Sequence, residues 1–318
     1  MLVGVRPTGT GLLWADSGNL TPARPAKLDK YQPAAALKKS PPQTLAKIQA
    51  LPARSVLFAF DWDGTLATDV SKTSAALQKM GQAPFVMINT GRTLADLQAS
   101  LAQVGKLSRL DAVACSNGTL VFENTQGLSP AAWLSGLSLA DADPTWAKQL
   151  SQASGWKQGK VLAALADYVA PFGAAVSRAW PDGAELNAKG PSGLAIADGF
   201  IAKLAELGIS AHYEVEHWGS YDTYKFAPAG VAKSASVAFQ ASQLELKAVL
   251  TAGDGPNDVS VLGTKKFLDA SGASLSNQAI VCGNKLATAH LSSPVMADSM
   301  GGLAAALSAA LAKQKISV

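Results

Sequence analysis

Hydrophobic positions divide this chain into a first segment without period and a longer one that follows. From residue 56 onward, short continuous apolar runs alternate with stretches in which apolar residues recur every three to four positions. The runs 56–60, 85–88, 111–115 and 248–252 are too short for helices and end in polar or glycine-bearing turns, which predicts buried strands. Another run, 120–122, follows the third of these, and one more lies at 279–282. Helical period predicts helices over 73–80, 94–104, 233–243 and 256–262, with an Ala/Leu-rich helix over 303–312. In 94–104 the apolar stripe is Leu94, Leu97, Leu101 and Val104. Strands alternating with helices predict a parallel sheet joined by crossovers.

The alternation is interrupted once. Residues 124–228 carry five of the seven tryptophans and helical stretches of their own at 161–170 and 199–207, which predicts a separate lid inserted into the sheet domain. The core is then 55–123 and 229–318, and the fold class is α/β, a Rossmann-like parallel sheet with an inserted α/β cap. Residues 1–54 hold seven of the sixteen prolines, including Pro41-Pro42, and predict an extension lying on the surface. A transit peptide is the alternative, since the segment is basic and poor in acids, though it is not serine-rich and has no secretory apolar core.

With 318 residues, 48% apolar and 16% charged, the chain is globular and long enough for one large core or two modest ones. Its net charge of +4 invites a nucleic-acid partner, but residues 1–54 alone carry +6 and the remainder −2. No basic face with interleaved aromatics is left, so nucleic acid is not an expected partner. Cys115 and Cys282 lie far apart without C-x-x-C spacing, which fits buried thiols in a reducing compartment. The cytoplasm is the expected location, or a plastid if 1–54 includes a transit peptide. His212, His217 and His290 are too scattered for a zinc site. No apolar run approaches the ~20 residues of a membrane helix, and a monomer or weak oligomer is expected.

Candidate chemistry sits where the runs end. Run 56–60 stops at Asp61-Trp62-Asp63-Gly64-Thr65, run 85–88 at Asn89-Thr90-Gly91-Arg92, and run 248–252 at Gly253-Asp254-Gly255-Pro256-Asn257-Asp258, while Lys233 opens a helix after Gly230. In open α/β sheets ligands bind beyond the carboxyl ends of the strands. Carboxylates this close repel unless a cation lies beside them, and Mg²⁺, which takes hard oxygen ligands together with substrate phosphate, is the expected one. Singly, each piece has a plainer reading. D-G is a common turn, Lys233 could lie on a helix surface, Thr90 could be an N-cap, Arg92 could be solvated and Asp258 could charge the first turn of its helix. Asp61, Asp63 and Asp254 converging without a cation would be costly.

As an ordered set, D-W-D-G-T, N-T-G-R-T, Lys233 and G-D-G-P-N-D resemble the four motifs of the haloacid dehalogenase superfamily of phosphatases, over the chain from about residue 55. The resemblance implies that superfamily's large α/β cap and a Mg²⁺-dependent hydrolysis of a phosphate ester. Asp61 would be the nucleophile, forming an aspartyl-phosphate, and Asp63 the general acid and then base. Thr90, Gly91, Asn257 and Lys233 would surround the phosphoryl group. Asp61, the Asp63 carbonyl and Asp254 would hold Mg²⁺, with Asp258 acting through water or by orienting Lys233.

Within that superfamily, T-G-R-T-L at 90–94, D-A-V-A-C-S-N-G-T at 111–119, D-P-T-W and S-G-W-K within 143–157, Gly283-Asn284 and Gly301-Gly302 resemble the sucrose-phosphate phosphatases. They imply a small-molecule sugar phosphate, sucrose 6-phosphate first. That family's cap carries a Glu-Gln, then Asn-x-x-Lys-x-Ser run that contacts the sugar. Its counterpart here is Glu185-Leu186-Asn187-Ala188-Lys189 and Ser192, without the glutamine and with altered spacing. Glu185, Asn187 and Lys189 are therefore the candidate hydroxyl contacts. Other readings are trehalose 6-phosphate or a glucosylglycerol phosphate as substrate, transfer to an acceptor other than water, and a non-catalytic partner of a sugar-phosphate synthase. The last predicts loss of a motif aspartate or lysine, and none is lost; a synthase remains a candidate partner.

Overall fold

The computed structural model describes residues 3–7, 56–79, 84–172, 176–180, 183–188, 191–217, 221–283, 291 and 294–313. The strands in chain order are β1 (Val3–Pro7), β2 (Val56–Phe60), β3 (Phe85–Asn89), β4 (Ala112–Cys115), β5 (Leu120–Glu123), β6 (Val176–Trp180), β7 (Gly183–Ala188), β8 (Ala211–His217), β9 (Asp222–Pro228), β10 (Ala248–Gly253), β11 (Lys266–Leu268), β12 (Ser274–Val281) and β13 (Val295–Met296). The helices are α1 (Val70–Gln78), α2 (Leu94–Gln98), α3 (Leu101–Val104), α4 (Pro130–Gly136), α5 (Pro144–Ser154), α6 (Gln158–Val169), α7 (Pro191–Glu206), α8 (Lys233–Ala241), α9 (Val259–Leu262) and α10 (Leu303–Lys313). Apart from β1, the extension expected over 1–54 lies outside the described residues.

Contacts sort the chain into two units. The larger runs to Asp143 and again from Ala232, and its sheet has the order β11-β12-β10-β2-β3-β4-β5, with β13 also on β12. The strands from β12 through β10, β2 and β3 to β4 are parallel, as the alternation predicts. Every residue of β2, β3 and β10 is buried, the pattern of strands covered on both faces. On one face Val56, Phe58 and Phe60 pack with Val70 and Leu77 of α1 and Leu303 and Leu307 of α10. Leu57 and Ala59, equally buried, point to the other.

Three expectations are corrected here. β5 returns antiparallel to β4 through a tight turn at 116–119, so it is an edge hairpin and not a crossover strand. The helix expected over 94–104 breaks into α2 and α3. At the break the Asp96 carbonyl accepts from Arg92 Nη1, and Ser100 N–H turns to Leu97 O instead. Over 256–262 the helix starts as one tight turn, Pro256–Asp258, before α9.

The second unit, Pro144–Val231 with β1, contains helices near the expected places, and also an antiparallel sheet, β1-β8-β9-β7-β6, that periodicity had not disclosed. Ala184 and Leu186 of β7, Tyr213 and Val215 of β8, and Tyr224 and Phe226 of β9 bury one face against Val161 and Leu165 of α6 and Phe200 and Leu204 of α7. On such a half-buried sheet the alternate positions fall on the opposite face, and these include Glu185, Asn187, Thr223 and His212.

His212 is buried, with Nδ1 3.0 Å from Pro228 O. Burial outweighs that hydrogen bond and pushes its pKa down from 6.5 to about 4. Folding therefore holds His212 neutral, and the unfolded chain binds the extra proton below its ordinary pKa. Stability is fully present above pH 6.5 and is lost as pH falls toward 4, by about 3 kcal/mol if the shift is complete. Thermal midpoints across this range should drop more steeply for the wild type than for His212→Gln.

Candidate active site

The site is built where parallel strands end together. Phe60 stands beside Ala252 on β10 and Ile88 on β3, and Asp61 N–H still donates to Ala252 O at 2.8 Å, so Asp61 leaves the sheet level with Gly253 and Asn89. Trp62 turns into the core cluster, which anchors the loop between its two aspartates. Asp254 follows β10, and Thr90 follows β3.

Lys233, 1% exposed, is the hub. Its Nζ donates to Asp61 Oδ1 at 2.5 Å and to Asp258 Oδ1 at 2.7 Å. Asp258 Oδ2 in turn accepts from the Asp254 and Gly255 N–H groups, both at 3.0 Å. Of the two parts foreseen for Asp258, orienting Lys233 is the one this geometry displays. The start of α8 is pinned separately. Asn89 Nδ2 donates to Lys233 O at 2.8 Å, and Ser236 Oγ donates to Asn89 Oδ1 at 3.3 Å. Asn89 had not been singled out; its signal was an amide closing an otherwise apolar strand.

Charge in this cluster does not balance. Burial by itself would lower Lys233, but the Asp258 and Asp61 carboxylates outweigh it and raise it, so the ammonium is kept. Burial pushes Asp61 up to about 7, against the pull of Lys233 and with the push of Asp258 and Asp254. Asp61, Asp254 and Asp258 each offer a carboxylate oxygen, all within 4.8 Å of one another, against one ammonium. An all-oxygen donor set with surplus negative charge suits a hard dication such as Mg²⁺.

Gly64 makes room for this arrangement. Its φ is 73°, and a Cβ there would run into the Asp254 carboxylate. Gly253 does the same for Asp258 without a left-handed backbone. Gly64→Ala should displace the Asp254 carboxylate from its place in the cluster. It should also lower the thermal midpoint through roughly 1–2 kcal/mol of left-handed strain.

Around Thr90 the structure decides between open readings. Thr93, not Thr90, caps α2: its Oγ1 accepts from Asp96 N–H at 3.3 Å, and Asp96 Oδ2 accepts from Thr93 N–H at 3.4 Å. Thr90 Oγ1 accepts from Arg92 N–H at 3.1 Å, which leaves its own proton for another acceptor. Asn257 is close by, since a Cβ built on Gly91 would lie 3.5 Å from Asn257 Nδ2. Arg92 is not a solvated side chain. Its Nε and Nη2 bind both Asp63 oxygens at 2.7 Å, and Nη1 reaches Asp96 O and Ser100 Oγ. Asp63 thus pairs with Arg92 and is not one of the three converging carboxylates.

Glu185 and Asn187 lie two apart on β7 of the second unit. Glu185 Oε1 accepts from Ser177 Oγ at 3.2 Å, and Asn187 Oδ1 accepts from Thr223 Oγ1 at 2.8 Å. Lys189 lies outside the described residues.

No family model matches the chain, and no curated protein does. Solved structures do. A sucrose-phosphatase from Synechocystis sp., solved with sucrose and phosphate, is 16% identical over 83% of this chain and 99% of its own, with a TM-score of 0.54. A haloacid dehalogenase-like hydrolase from Bacteroides thetaiotaomicron is 12% identical over 80% of this chain and 99% of its own, with a TM-score of 0.53. One from Bacillus subtilis is 15% identical over 86% and 98%, with a TM-score of 0.50. At these identities the likeness is one of fold.

Proposed function

We propose that this chain, which has the haloacid dehalogenase-like fold, is a phosphomonoesterase that hydrolyses a sugar phosphate, sucrose 6-phosphate first, through an aspartyl-phosphate on Asp61. The observation that carries the reading is the buried Lys233 bridging Asp61 and Asp258 beside Asp254. Such a cluster is expensive to bury and has no structural need of three carboxylates.

Lys233 takes Asp61 Oδ1, which leaves Oδ2 to attack phosphorus. The bond from phosphorus to the sugar oxygen breaks, and Asp63 gives that oxygen a proton. Water then attacks the phosphoryl group on Asp61, Asp63 takes its proton, and the carboxylate and phosphate are released. In the geometry described, both Asp63 oxygens accept from Arg92, so this acid–base work requires Asp63 to leave the guanidinium. Thr90 Oγ–H, Lys233 and Asn257 supply donors and charge for the phosphoryl oxygens. Mg²⁺ on Asp61, Asp254 and the Asp63 carbonyl would add the remaining positive charge there.

The sugar reading draws on the motif likeness reaching into the second unit, with Glu185, Asn187 and Lys189 as hydroxyl contacts. Phosphate release from a panel of sugar and polyol phosphates, with Mg²⁺ and with EDTA, tests it. Mg²⁺-dependent release, highest with sucrose 6-phosphate, is expected. Release highest with trehalose 6-phosphate or a glucosylglycerol phosphate would move only the sugar assignment, and release undiminished by EDTA would sink the metal.

A further inference from the structure

The turn between β4 and β5 plays no part in the chemistry above, yet it is the most constrained piece of backbone near it. Ser116 and Asn117, with φ of 52° and 55°, are the non-glycine residues of positive φ among those described. Asparagine tolerates this conformation better than most side chains, and strained backbone persists where its surroundings over-determine it.

Two neighbours do so here. Ser116 N–H donates to Arg92 O at 2.8 Å and Asn117 N–H to Thr90 O at 3.0 Å, which staples the turn to the Thr90 loop. On its other side Gly118, φ 94°, approaches α8 so closely that a Cβ would stand 2.9 Å from Ala232 O, next to Lys233. The turn is therefore wedged between two loops that carry the centre.

Its side chain lands on Gly91. A Cβ built there would lie 3.0 Å from Asn117 Oδ1, as well as 3.5 Å from Asn257 Nδ2, so two carboxamides from separate elements converge on one Cα. Within the loop, Thr90 N–H is taken by Ala114 O and Arg92 N–H by Thr90 Oγ1. Gly91 N–H, between them, has no acceptor among the described residues.

We propose that Asn117 is a positioning residue of the phosphoryl site: its carboxamide, set by the left-handed turn, fixes Gly91 so that the Gly91 N–H serves an anionic phosphoryl oxygen beside Asn257. This rests on the phosphatase reading above. It places no reacting atom on Asn117 itself.

Binding of inorganic phosphate to the full chain in the presence of Mg²⁺, followed by calorimetry, tests it beside hydrolysis of a sugar phosphate and of p-nitrophenyl phosphate. Asn117→Gly keeps the left-handed backbone and removes the carboxamide. Phosphate affinity should fall about ten- to a hundredfold, the range for a misplaced group, with kcat for both esters falling by one common factor. A common factor marks an effect on the phosphoryl end, because the two esters share nothing else. Thermal midpoint should stay at the wild-type value. Asn117→Asp, which keeps the shape but brings negative charge to the anion, should also weaken phosphate, and it serves if Asn117→Gly does not fold. Unchanged phosphate affinity in both variants overturns the inference and leaves the phosphatase reading standing. So does a loss that merely follows a lowered thermal midpoint. Wild type that neither binds phosphate nor releases it from any ester overturns both.

Discussion

Asp61→Asn is expected to leave a folded protein that releases no measurable phosphate, a loss of at least about 10⁴-fold, as when a catalytic nucleophile is removed. The argument is geometric and chemical together. The amide has the size of the carboxylate, so the strand end at Phe60 and the main-chain bond to Ala252 persist. It cannot form the acyl phosphate, and it removes one of the two carboxylates that hold Lys233. A phosphate-release assay beside a thermal melt checks this. Activity within about a hundredfold of wild type, with the melt unchanged, would remove Asp61 from the nucleophile's place.

Lys233→Met should damage both stability and rate. The side chain is buried to 1% exposure between Asp61 and Asp258, and methionine fills the space while leaving two carboxylates without their ammonium. Breaking a buried pair from one side typically costs about 3–5 kcal/mol. At the scale of roughly 2–4 °C per kcal/mol for a domain of 150–250 residues, the thermal midpoint should fall by about 10 °C or more. The rate should fall by roughly 10²–10³-fold, the range for losing one preorganised electrostatic contact. Lys233→Arg should not restore it, because a planar fork cannot place one nitrogen between two carboxylate oxygens as a compact ammonium does. Added Mg²⁺ should recover part of the lost thermal midpoint in Lys233→Met, and more than it adds to wild type. Equal gains in both would argue that the carboxylate cluster does not bind the ion.

Much of this arrangement was legible before any coordinates. Val56–Phe60 and Phe85–Asn89 are strands because each is an unbroken apolar run with a polar stop, and a parallel strand covered on both faces leaves that trace. Asp61, Asp254, Asp258 and Lys233 were readable as a group from their places at element ends, and the structure gathers those four. What escaped depends on contacts between distant residues. Arg92 had a solvated side chain as its plainer reading, and its grip on Asp63, with its bond to Asp96 O at the break between α2 and α3, has no local signature. Asn89 and Asn117 act through α8 and Gly91, far away in sequence. A sheet in the second unit was implied by the α/β cap, but its strands were not placed, for another reason. β6, with its exposed Ser177, Arg178 and Ala179, shows neither strict alternation nor an apolar run, and its one ladder is with β7 at the edge of the sheet.

The position of β2 within its sheet also bears on how the protein is made. One neighbour, β3, follows it closely, but the other, β10, begins at Ala248, about 190 residues later. At roughly 5–20 residues per second, a ribosome leaves that edge of β2 without its partner for about 10–40 seconds. An apolar run with a bare row of main-chain donors and acceptors is the kind of surface that seeks other chains. β7, β8 and β9, by contrast, lie within one continuous stretch and can pair as soon as they emerge. The nascent chain thus carries an apolar strand with one edge unpaired through that interval, which exposes its folding to translation speed and chaperone supply as well as to the finished fold's stability.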